Sequence, residues 1–327
     1  MKKLISLFLA AFLISCTTVI CLTGASAKDD DFIKYAEFNV TYPALKRAME
    51  LDINSQQEDV RLDWIEILSY LGAKYGGDFT HYNDKDINEI ADKLKNGESI
   101  ESLTSNMKYY PYYHEVYTAV LGGMLGEYTE YSENGGSVIS EKKYGLKAYS
   151  PIAKTFPYSH YDDFGASRTY GYNRNHLGHD MMCAVGTPII CVEDGIVECM
   201  GWNQYGGWRI GIRSLDKKRY YYYAHLRQNR PYQCDIHEGM KVSAGEVIGY
   251  AGRTGYSTQE NVNNIETPHL HWGVELIFDE SQKECDNEIW IDLYALTQLL
   301  EEHKSETVRV AETKEYYAIF QKALNQS

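Results

Sequence analysis

The chain has 327 residues, of which 44% are hydrophobic and 24% are charged, and its formal net charge at pH 7 is -14. This composition is typical of folded globular proteins, and the length allows two domains of ordinary size. The acidic balance argues against nucleic acid or anionic lipid as a main partner, because both are bound by clustered cations.

Residues 1–27 have the pattern of a secretory signal peptide. Lys2-Lys3 forms a positive start, residues 4–22 are mostly apolar, and Ala25-Ser26-Ala27 offers small residues for cleavage. Two alternatives stay open. The long apolar run could remain as a membrane anchor, and residues 13–16 match the lipoprotein pattern Leu-Ile-Ser-Cys. Each alternative predicts an exported chain, and membrane contact is expected only if the segment is uncleaved or lipidated.

The cysteines that follow this segment predict free thiols. They are five in number and contain no C-x-x-C pair: Cys183, Cys191, Cys199, Cys234 and Cys285. An odd count in a large domain is not typical of a disulfide framework, and a thiolate zinc site needs closer spacing. Two pairs at most could form, and the sequence does not select them.

Residues 28–138 are predicted to form a helical domain of unknown role. Apolar residues recur at helical spacing in residues 60–75, which stop at two glycines. Further helices are predicted over residues 44–51, 84–97, 99–106 and 112–125. Residues 127–145 are rich in Gly, Ser, Glu and Lys, which predicts a linker or exposed loop and a boundary near residue 138.

Residues 139–296 change to short strands punctuated by glycines. The clearest strands are predicted over residues 187–192, 195–200, 208–212, 219–225, 247–251 and 269–277. No helix-length segment separates them, so an antiparallel sheet or sandwich is expected rather than parallel units. With residues 297–327 read as a C-terminal helix or tail, the fold class is predicted to be α+β.

Four histidines and one aspartate of this region could form a metal centre. His269 and His271 stand two apart in a predicted strand, so both side chains should point into one groove. His225 ends another strand and could reach the same groove. His176 and Asp180 are predicted to lie in a loop, because the glycine between them disfavours a helix. A catalytic zinc site needs three protein ligands, and imidazole and carboxylate are suitable ones.

Six segments between residues 164 and 272 occur in an order that resembles one known family. They are Phe164-Gly165-Ala166-Ser167-Arg168, His176-Leu177-Gly178-His179-Asp180, Gly186-Thr187-Pro188, Asp194-Gly195-Ile196-Val197, Tyr223-Ala224-His225-Leu226 and Pro268-His269-Leu270-His271-Trp272. The family is the lysostaphin/LytM-type zinc metalloendopeptidases, which cleave peptidoglycan peptides. The resemblance covers about residues 145–296 and leaves residues 28–140 without a counterpart.

The resemblance implies one Zn²⁺ per chain and a role for each residue of the cluster. Its three zinc ligands would be His176, Asp180 and His271. His225 and His269 would be the catalytic histidines that orient or deprotonate the attacking water and stabilise the oxyanion. His179 stands outside the ligand positions and is predicted to face away.

Residues 258–267 depart from the family pattern. The family usually runs almost directly from its Gly-x-Thr-Gly-x-Ser segment into the final histidine motif, whereas here ten polar-rich residues intervene. They are expected either to border the groove and shape substrate choice or to form a solvated insertion without a role.

The sequence thus predicts an exported zinc endopeptidase, secreted or located at the cell wall, that hydrolyses amide bonds in peptidoglycan stem peptides or cross-bridges. One alternative is a non-catalytic LytM-like module that binds cell wall or activates a hydrolase. Another is a latent enzyme whose groove is occluded by the helical region or by residues 127–145. The pattern selects neither the cleaved bond nor the oligomeric state.

Overall fold

Helices form the first third of the described chain. The computed structural model describes residues 32–135, 137–283 and 287–324, so the predicted signal peptide lies outside the described residues. The helices are α1 (Tyr42–Ser55), α2 (Trp64–Tyr75), α3 (Asp84–Lys95), α4 (Ile100–Thr104) and α5 (Tyr110–Leu121), with a 3-10 turn at Phe79–His81. The predicted helical character of this region is confirmed.

Local capping fixes where these helices begin and end. The carboxylate of Asp63 accepts hydrogen bonds from the backbone of Ile65 and Glu66, so α2 begins later than its apolar periodicity suggests. Gly76 ends α2 in the left-handed conformation, with φ of 63°. The side chain of Asn83 caps α3 in the same way through the backbone of Asp86.

Strands dominate the rest of the chain. They are β1 (Leu125–Asn134), β2 (Ser137–Leu146), β3 (Tyr158–Ser159), β4 (Ser167–Arg168), β5 (Arg174–Asn175), β6 (His179–Cys183), β7 (Pro188–Ile190), β8 (Gly195–Asn203), β9 (Gly207–Ser214), β10 (Arg219–Ala224), β11 (Lys241–Val242), β12 (Val247–Tyr250), β13 (His269–Leu276), β14 (Ile289–Trp290), β15 (Thr307–Arg309) and β16 (Tyr316–Ala318). Two helices complete the order, α6 (Tyr294–Leu300) and α7 (Ile319–Leu324).

The largest sheet places β13 at the centre of the fold. Its strand order is β11-β8-β9-β10-β13-β6-β3, with β14 also pairing with β13. The pairs are antiparallel, which confirms the predicted α+β class with a mainly antiparallel sheet. His271 of β13 lies opposite Ala224 on one side and Asp180 on the other. This register brings residues that are far apart in the sequence to one point of the sheet.

Two segments differ from their predicted structure. Most of residues 127–145, expected as a linker or loop, belongs to the hairpin of β1 and β2, in which Leu125 pairs with Leu146. The Gly-Ser signal therefore marks the turn of a hairpin. The C-terminal tail forms a second hairpin of β15 and β16 before α7, whereas a helix or frayed end was expected.

Helices and sheet share one hydrophobic core. Buried apolar residues from both regions form one continuous cluster that includes Trp64, Tyr117 and Trp272. Residues from Ile33 onward accordingly form one compact unit, and the domain boundary near residue 138 stays a prediction. Among the residues described, no helix is long and apolar enough to cross a membrane.

The cysteines that the structure describes are all free: Cys183, Cys191, Cys199 and Cys234. Cys183 and Cys191 are buried, Cys199 is half-buried and Cys234 is exposed. The fifth, Cys285, lies outside the described residues.

Candidate metal centre

The central strand pair builds the site. His269 and His271 lie two apart on β13, so both side chains project from the same face of the sheet. Asp180 lies on the neighbouring β6, directly opposite His271. The sequence placed Asp180 in a loop; it belongs instead to the strand that begins immediately after Gly178, because pairing with β13 extends to His179.

His176, in the loop before β6, completes a cluster of three donor atoms. Its Nε2 lies 3.0 Å from Asp180 Oδ1 and 2.9 Å from His271 Nδ1. His271 Nδ1 lies 3.0 Å from the same Asp180 oxygen. Zinc binds nitrogen and oxygen ligands at about 2.0–2.2 Å, so atoms this close can share one ion. Among the described residues, these three are the group of histidine, cysteine and acidic side chains with metal-binding spacing.

Electrostatics couple the three donors. Burial alone would lower the pKa of His176, but hydrogen bonds to Asp163 and Asp180 outweigh it and raise the pKa to about 9. Burial would raise the pKa of Asp180, yet the hydrogen bonds from His176 and His271 hold it well below its usual range. Burial lowers the pKa of His271, and Asp180 only partly opposes this. The cluster therefore offers an ionised carboxylate between two imidazoles.

Asp163 supports the cluster through His176, and no sequence motif had pointed to it. It is 3% exposed, and its backbone oxygen lies 3.0 Å from His176 Nδ1. Its carboxylate also lies 3.2 Å from that nitrogen. Arg168 donates to Asp163 at 3.1 Å and to Asp180 Oδ2 at 2.9 Å, so one guanidinium links Asp163 to a candidate ligand. Arg168 was found through its motif, whereas an acid thirteen residues before His176 matches no spacing rule.

His179 lies outside the cluster. Because it precedes Asp180 on a strand, its side chain occupies the other face of the sheet. Its ring nitrogens lie 2.8 Å from His160 Nδ1 and 3.4 Å from Asp163 Oδ1. The half-buried His160 is thus linked to Asp163 through His179.

His225 and His269 face the cluster with one ring nitrogen each. His225 Nδ1 lies 2.9 Å from the backbone oxygen of Thr254, and His269 Nδ1 lies 2.8 Å from that of Thr267. A carbonyl oxygen accepts only, so each Nδ1 carries the proton and each Nε2 is left as an acceptor. The ring of His225 lies 4.8 Å from that of His269 and 5.7 Å from that of His271.

The environment of His225 is specialised. Its backbone φ is 59°, which is unfavourable for a residue other than glycine. This backbone conformation, at the end of β10, directs the imidazole ring into the site. Burial lowers its pKa well below the ordinary value, and the nearby His269 and His271 lower it further. The imidazole is therefore neutral at pH 7.

Comparison with known proteins identifies this region. The sequence model of peptidase family M23 matches residues 174–284, which contain all five candidate site residues. Residues 174–284 are an M23 peptidase domain.

Relatives of the M23 domain match it over part of their own length. An L-Ala–D-Glu endopeptidase of Bacillus subtilis is 37% identical over 146 residues, which are 42% of this chain and 43% of the relative. The peptidoglycan DD-endopeptidase ShyC of Vibrio cholerae is 30% identical over 156 residues, 48% of this chain and 31% of the relative. The chain thus spans less than half the length of these two relatives.

The fold extends beyond the M23 domain. A solved structure of a LytM protein from Ruminococcus gnavus superposes with a TM-score of 0.51 at 21% identity, covering 80% of this chain and 92% of that one. This likeness shows that the shared fold extends beyond residues 174–284.

A cavity of about 160 Å³ opens beside the candidate metal centre. Four candidate site residues line it: His176, Asp180, His225 and His271. The other lining residues are Arg168, Arg174, Asn175, Leu177, Tyr205, Gly206, Tyr222 and Tyr256. Within the described parts of the chain, no residue of 32–146 lines this cavity. The helical region and the β1–β2 hairpin therefore leave the groove open.

Residues 258–267 do not line the cavity in the described structure; they support it. Asn264 Nδ2 donates to the backbone oxygen of Tyr256 at 2.6 Å, and the Gly255 backbone donates to Val262 at 3.2 Å. Asn261 accepts a hydrogen bond from Trp208 Nε1 at 2.9 Å, which ties the loop to β9. The loop therefore contacts the cavity indirectly, through Tyr256, which lines the cavity.

Proposed function

We propose that this protein is an exported, zinc-dependent endopeptidase that hydrolyses amide bonds in peptidoglycan stem peptides or cross-bridges. The main support is that three candidate ligand atoms, His176 Nε2, Asp180 Oδ1 and His271 Nδ1, lie 2.9–3.0 Å from one another. Two further imidazoles face them. Membership of residues 174–284 in the M23 family supports a hydrolase. The signal-peptide pattern of residues 1–27 supports export.

The donor set fits one zinc ion. Two imidazole nitrogens and one carboxylate oxygen are three protein ligands, which is the number that leaves a coordination position open for chemistry. His176 and Asp180 are 5% and 6% exposed, so the ligands are held away from bulk water. Zinc, when bound, supplies a Lewis acid that lowers the pKa of water and polarises a carbonyl group. Asp163 fixes the ring of His176 through its Nδ1 and so orients the ligand nitrogen.

His225 and His269 are assigned the proton transfers. Each has its Nδ1 occupied by a backbone carbonyl, which leaves Nε2 as the acceptor, and Nε2 of His269 lies 3.6 Å from Asp180 Oδ1. A neutral imidazole can take a proton from the attacking water and pass it to the departing amine. The lowered pKa of His225 keeps it in the accepting form at neutral pH. Once protonated, either ring can also donate a hydrogen bond to the developing oxyanion.

The names of the relatives support the substrate class. One is named for an L-Ala–D-Glu bond and another as a peptidoglycan endopeptidase. This chain keeps every ligand and both facing histidines, which favours an enzyme over a non-catalytic wall-binding or hydrolase-activating module.

Zinc content and digestion of purified sacculi test the proposal together. The purified protein should hold one zinc per chain and release muropeptides whose masses identify the cleaved bond. Asp180→Ala and His271→Ala should abolish release, while His237→Ala, an exposed histidine outside the site, should leave it unchanged. A parent protein that binds sacculi but releases nothing, with binding unaffected by Asp180→Ala, would identify a binding module instead.

A further inference from the structure

Arg174 lies at the edge of the metal centre. It belongs to β5, two residues before His176, and lines the cavity that also contains Asp180, His225 and His271. A second cavity, of about 440 Å³, is also lined by Arg174 and continues past Tyr222 to Trp290. A peptide that lies across the metal centre and extends along this groove must therefore pass Arg174.

The charge of Arg174 has no carboxylate partner among the described residues. Its Nη1 donates to the backbone oxygen of Tyr170 at 2.6 Å. The other arginine of the same cavity, Arg168, is bound to Asp163 and Asp180. A guanidinium has five N–H donors in a planar fork that suits a carboxylate, so most donors of Arg174 remain available to a ligand.

Neutral aromatic rings hold this guanidinium in place. Its central carbon lies 4.9 Å from the ring centre of Tyr205, 5.5 Å from that of Tyr256 and 5.8 Å from that of Tyr172. Tyr170 stacks on Tyr256 at 4.7 Å with an interplanar angle of 12°. Cation–π contacts fix the position of the cation without cancelling its charge. A pre-positioned cation also loses less side-chain entropy when it binds an anion.

The charge balance of the chain makes such a site selective. The formal net charge is -14, so the net charge of the protein does not attract a carboxylate. Arg168 next to the ligands is already neutralised, which leaves Arg174 as the cation of this cavity that can attract an anionic substrate group.

We propose that Arg174, clamped by Tyr172, Tyr205 and Tyr256, binds a carboxylate of the substrate peptide and makes the enzyme selective for acidic over neutral peptides. This inference rests on the proposed peptidase function and specifies its substrate class. The carboxylate can come from an acidic residue within the peptide or from a free C-terminus, and the chemistry at Arg174 is the same for both.

Matched peptides test the inference after sacculus digestion has identified the cleaved bond. Four peptides that contain this bond are compared. Two have glutamate beside the bond and two have glutamine, and in each pair one peptide has a free C-terminal carboxylate and the other a C-terminal amide. The zinc-loaded parent should cleave glutamyl or free-carboxyl peptides about 10- to 100-fold better in kcat/KM than their neutral counterparts. The glutamine substitution and the terminal amide show separately which carboxylate is bound.

Arg174→Gln should remove this preference, mainly by weakening cleavage of the charged peptide, and Arg174→Lys should restore part of it. Arg253→Gln removes an equal charge outside the cavity and should keep the parent ratio. The inference would be overturned if the parent shows no preference or if Arg174→Gln keeps the parent ratio. An equal loss of activity on all four peptides would also overturn it, because Arg174 would then have a purely structural role. A parent that cleaves no sacculi would instead overturn the proposed function itself.

Discussion

The Nδ1 atom of His176 lies 3.0 Å from the backbone oxygen of Asp163 and 3.2 Å from its carboxylate. This contact fixes which nitrogen of His176 faces Asp180 and His271. The same carboxylate accepts from Arg168 and lies 3.4 Å from His179 Nδ1, so one buried acid orients a candidate ligand and joins it to the other face of β6.

Asp163→Asn should weaken zinc binding about 10- to 100-fold, because residues that orient a metal ligand contribute on this scale. The substitution keeps the backbone oxygen and the side-chain shape but removes the charge that supports His176. Zinc affinity is measured by competition with a chelator of known strength. Asp162→Asn is the matched control, since its side chain is exposed. Equal affinities for the two variants would show that the carboxylate of Asp163 has no such role.

Zinc binding should release about one proton per ion at about pH 7.5, and affinity should rise with pH up to about 9. The pKa of metal-free His176 is raised to about 9, so its imidazole is protonated at that pH and must lose the proton to bind. His225 and His271 have lowered pKa values and add little. Calorimetry in two buffers of different ionisation heat gives the proton count, and zero release would contradict the assignment.

His176 gives the stability of the metal-free protein the opposite pH dependence to that of zinc affinity. Its pKa in the folded state lies above the ordinary value of 6.5, so its contribution to stability is complete below pH 6.5. That contribution is lost as pH rises towards about 9, the window in which zinc binding strengthens. Thermal unfolding with and without chelator across this range should therefore show a growing stabilisation by zinc.

Gly178→Ala should reduce zinc affinity by more than about tenfold while the protein stays folded. A Cβ atom at this position would lie 2.5 Å from Cε1 of His271 and 2.9 Å from the backbone oxygen of Trp272. The ring of His271 would have to move away from Asp180. Gly145→Ala is the control, because the nearest atom to its Cβ is 3.7 Å away. Circular dichroism separates misfolding from a displaced ligand, and parental zinc affinity in folded Gly178→Ala would rule out this packing constraint.

The spacing of His269 and His271 was sufficient to predict their common face, because side chains of a strand alternate with period two. Helical periodicity likewise located α2 and α3 to within a few residues. These predictions succeed because each depends on residues that are close in the sequence.

Long-range pairing was beyond the sequence pattern. The position of Asp180 on β6 follows from its register with β13, ninety-one residues later. Asp163 touches His176 only because the chain between them turns back, with Gly165 and Ala166 bonded to His176. The stacking of Tyr170 on Tyr256 joins two loops that show no shared pattern. The resemblance to a known family supplied the ligand roles, but not these supporting contacts.

Arg219→Met should lower the free energy of unfolding by about 3–5 kcal/mol, because it leaves a buried carboxylate unpaired. Arg219 is 0% exposed; its Nε and Nη2 donate to Glu193 at 2.8 and 3.0 Å. Its Nη1 donates to the backbone oxygen of Ala119 in α5, so this one side chain ties the helical region to the sheet. Urea unfolding measures the change, and Arg253→Met, which has no ion pair among the described residues, should change it by less than about 0.5 kcal/mol.

A double variant separates the ion pair from the packing around it. Glu193→Leu combined with Arg219→Met removes both buried charges and leaves only the exposed Asp216, the other ion-pair partner of Arg219. The double variant should therefore be less destabilised than Arg219→Met alone, since replacing a buried pair costs less than breaking it. The hydroxyl of Tyr221 donates to Glu193 at 2.6 Å and would lose this acceptor in the double variant. This loss limits how much stability the double variant can regain. If the double variant unfolds at the same urea concentration as Arg219→Met or lower, the cost comes from lost contacts with α5 rather than from an unpaired charge.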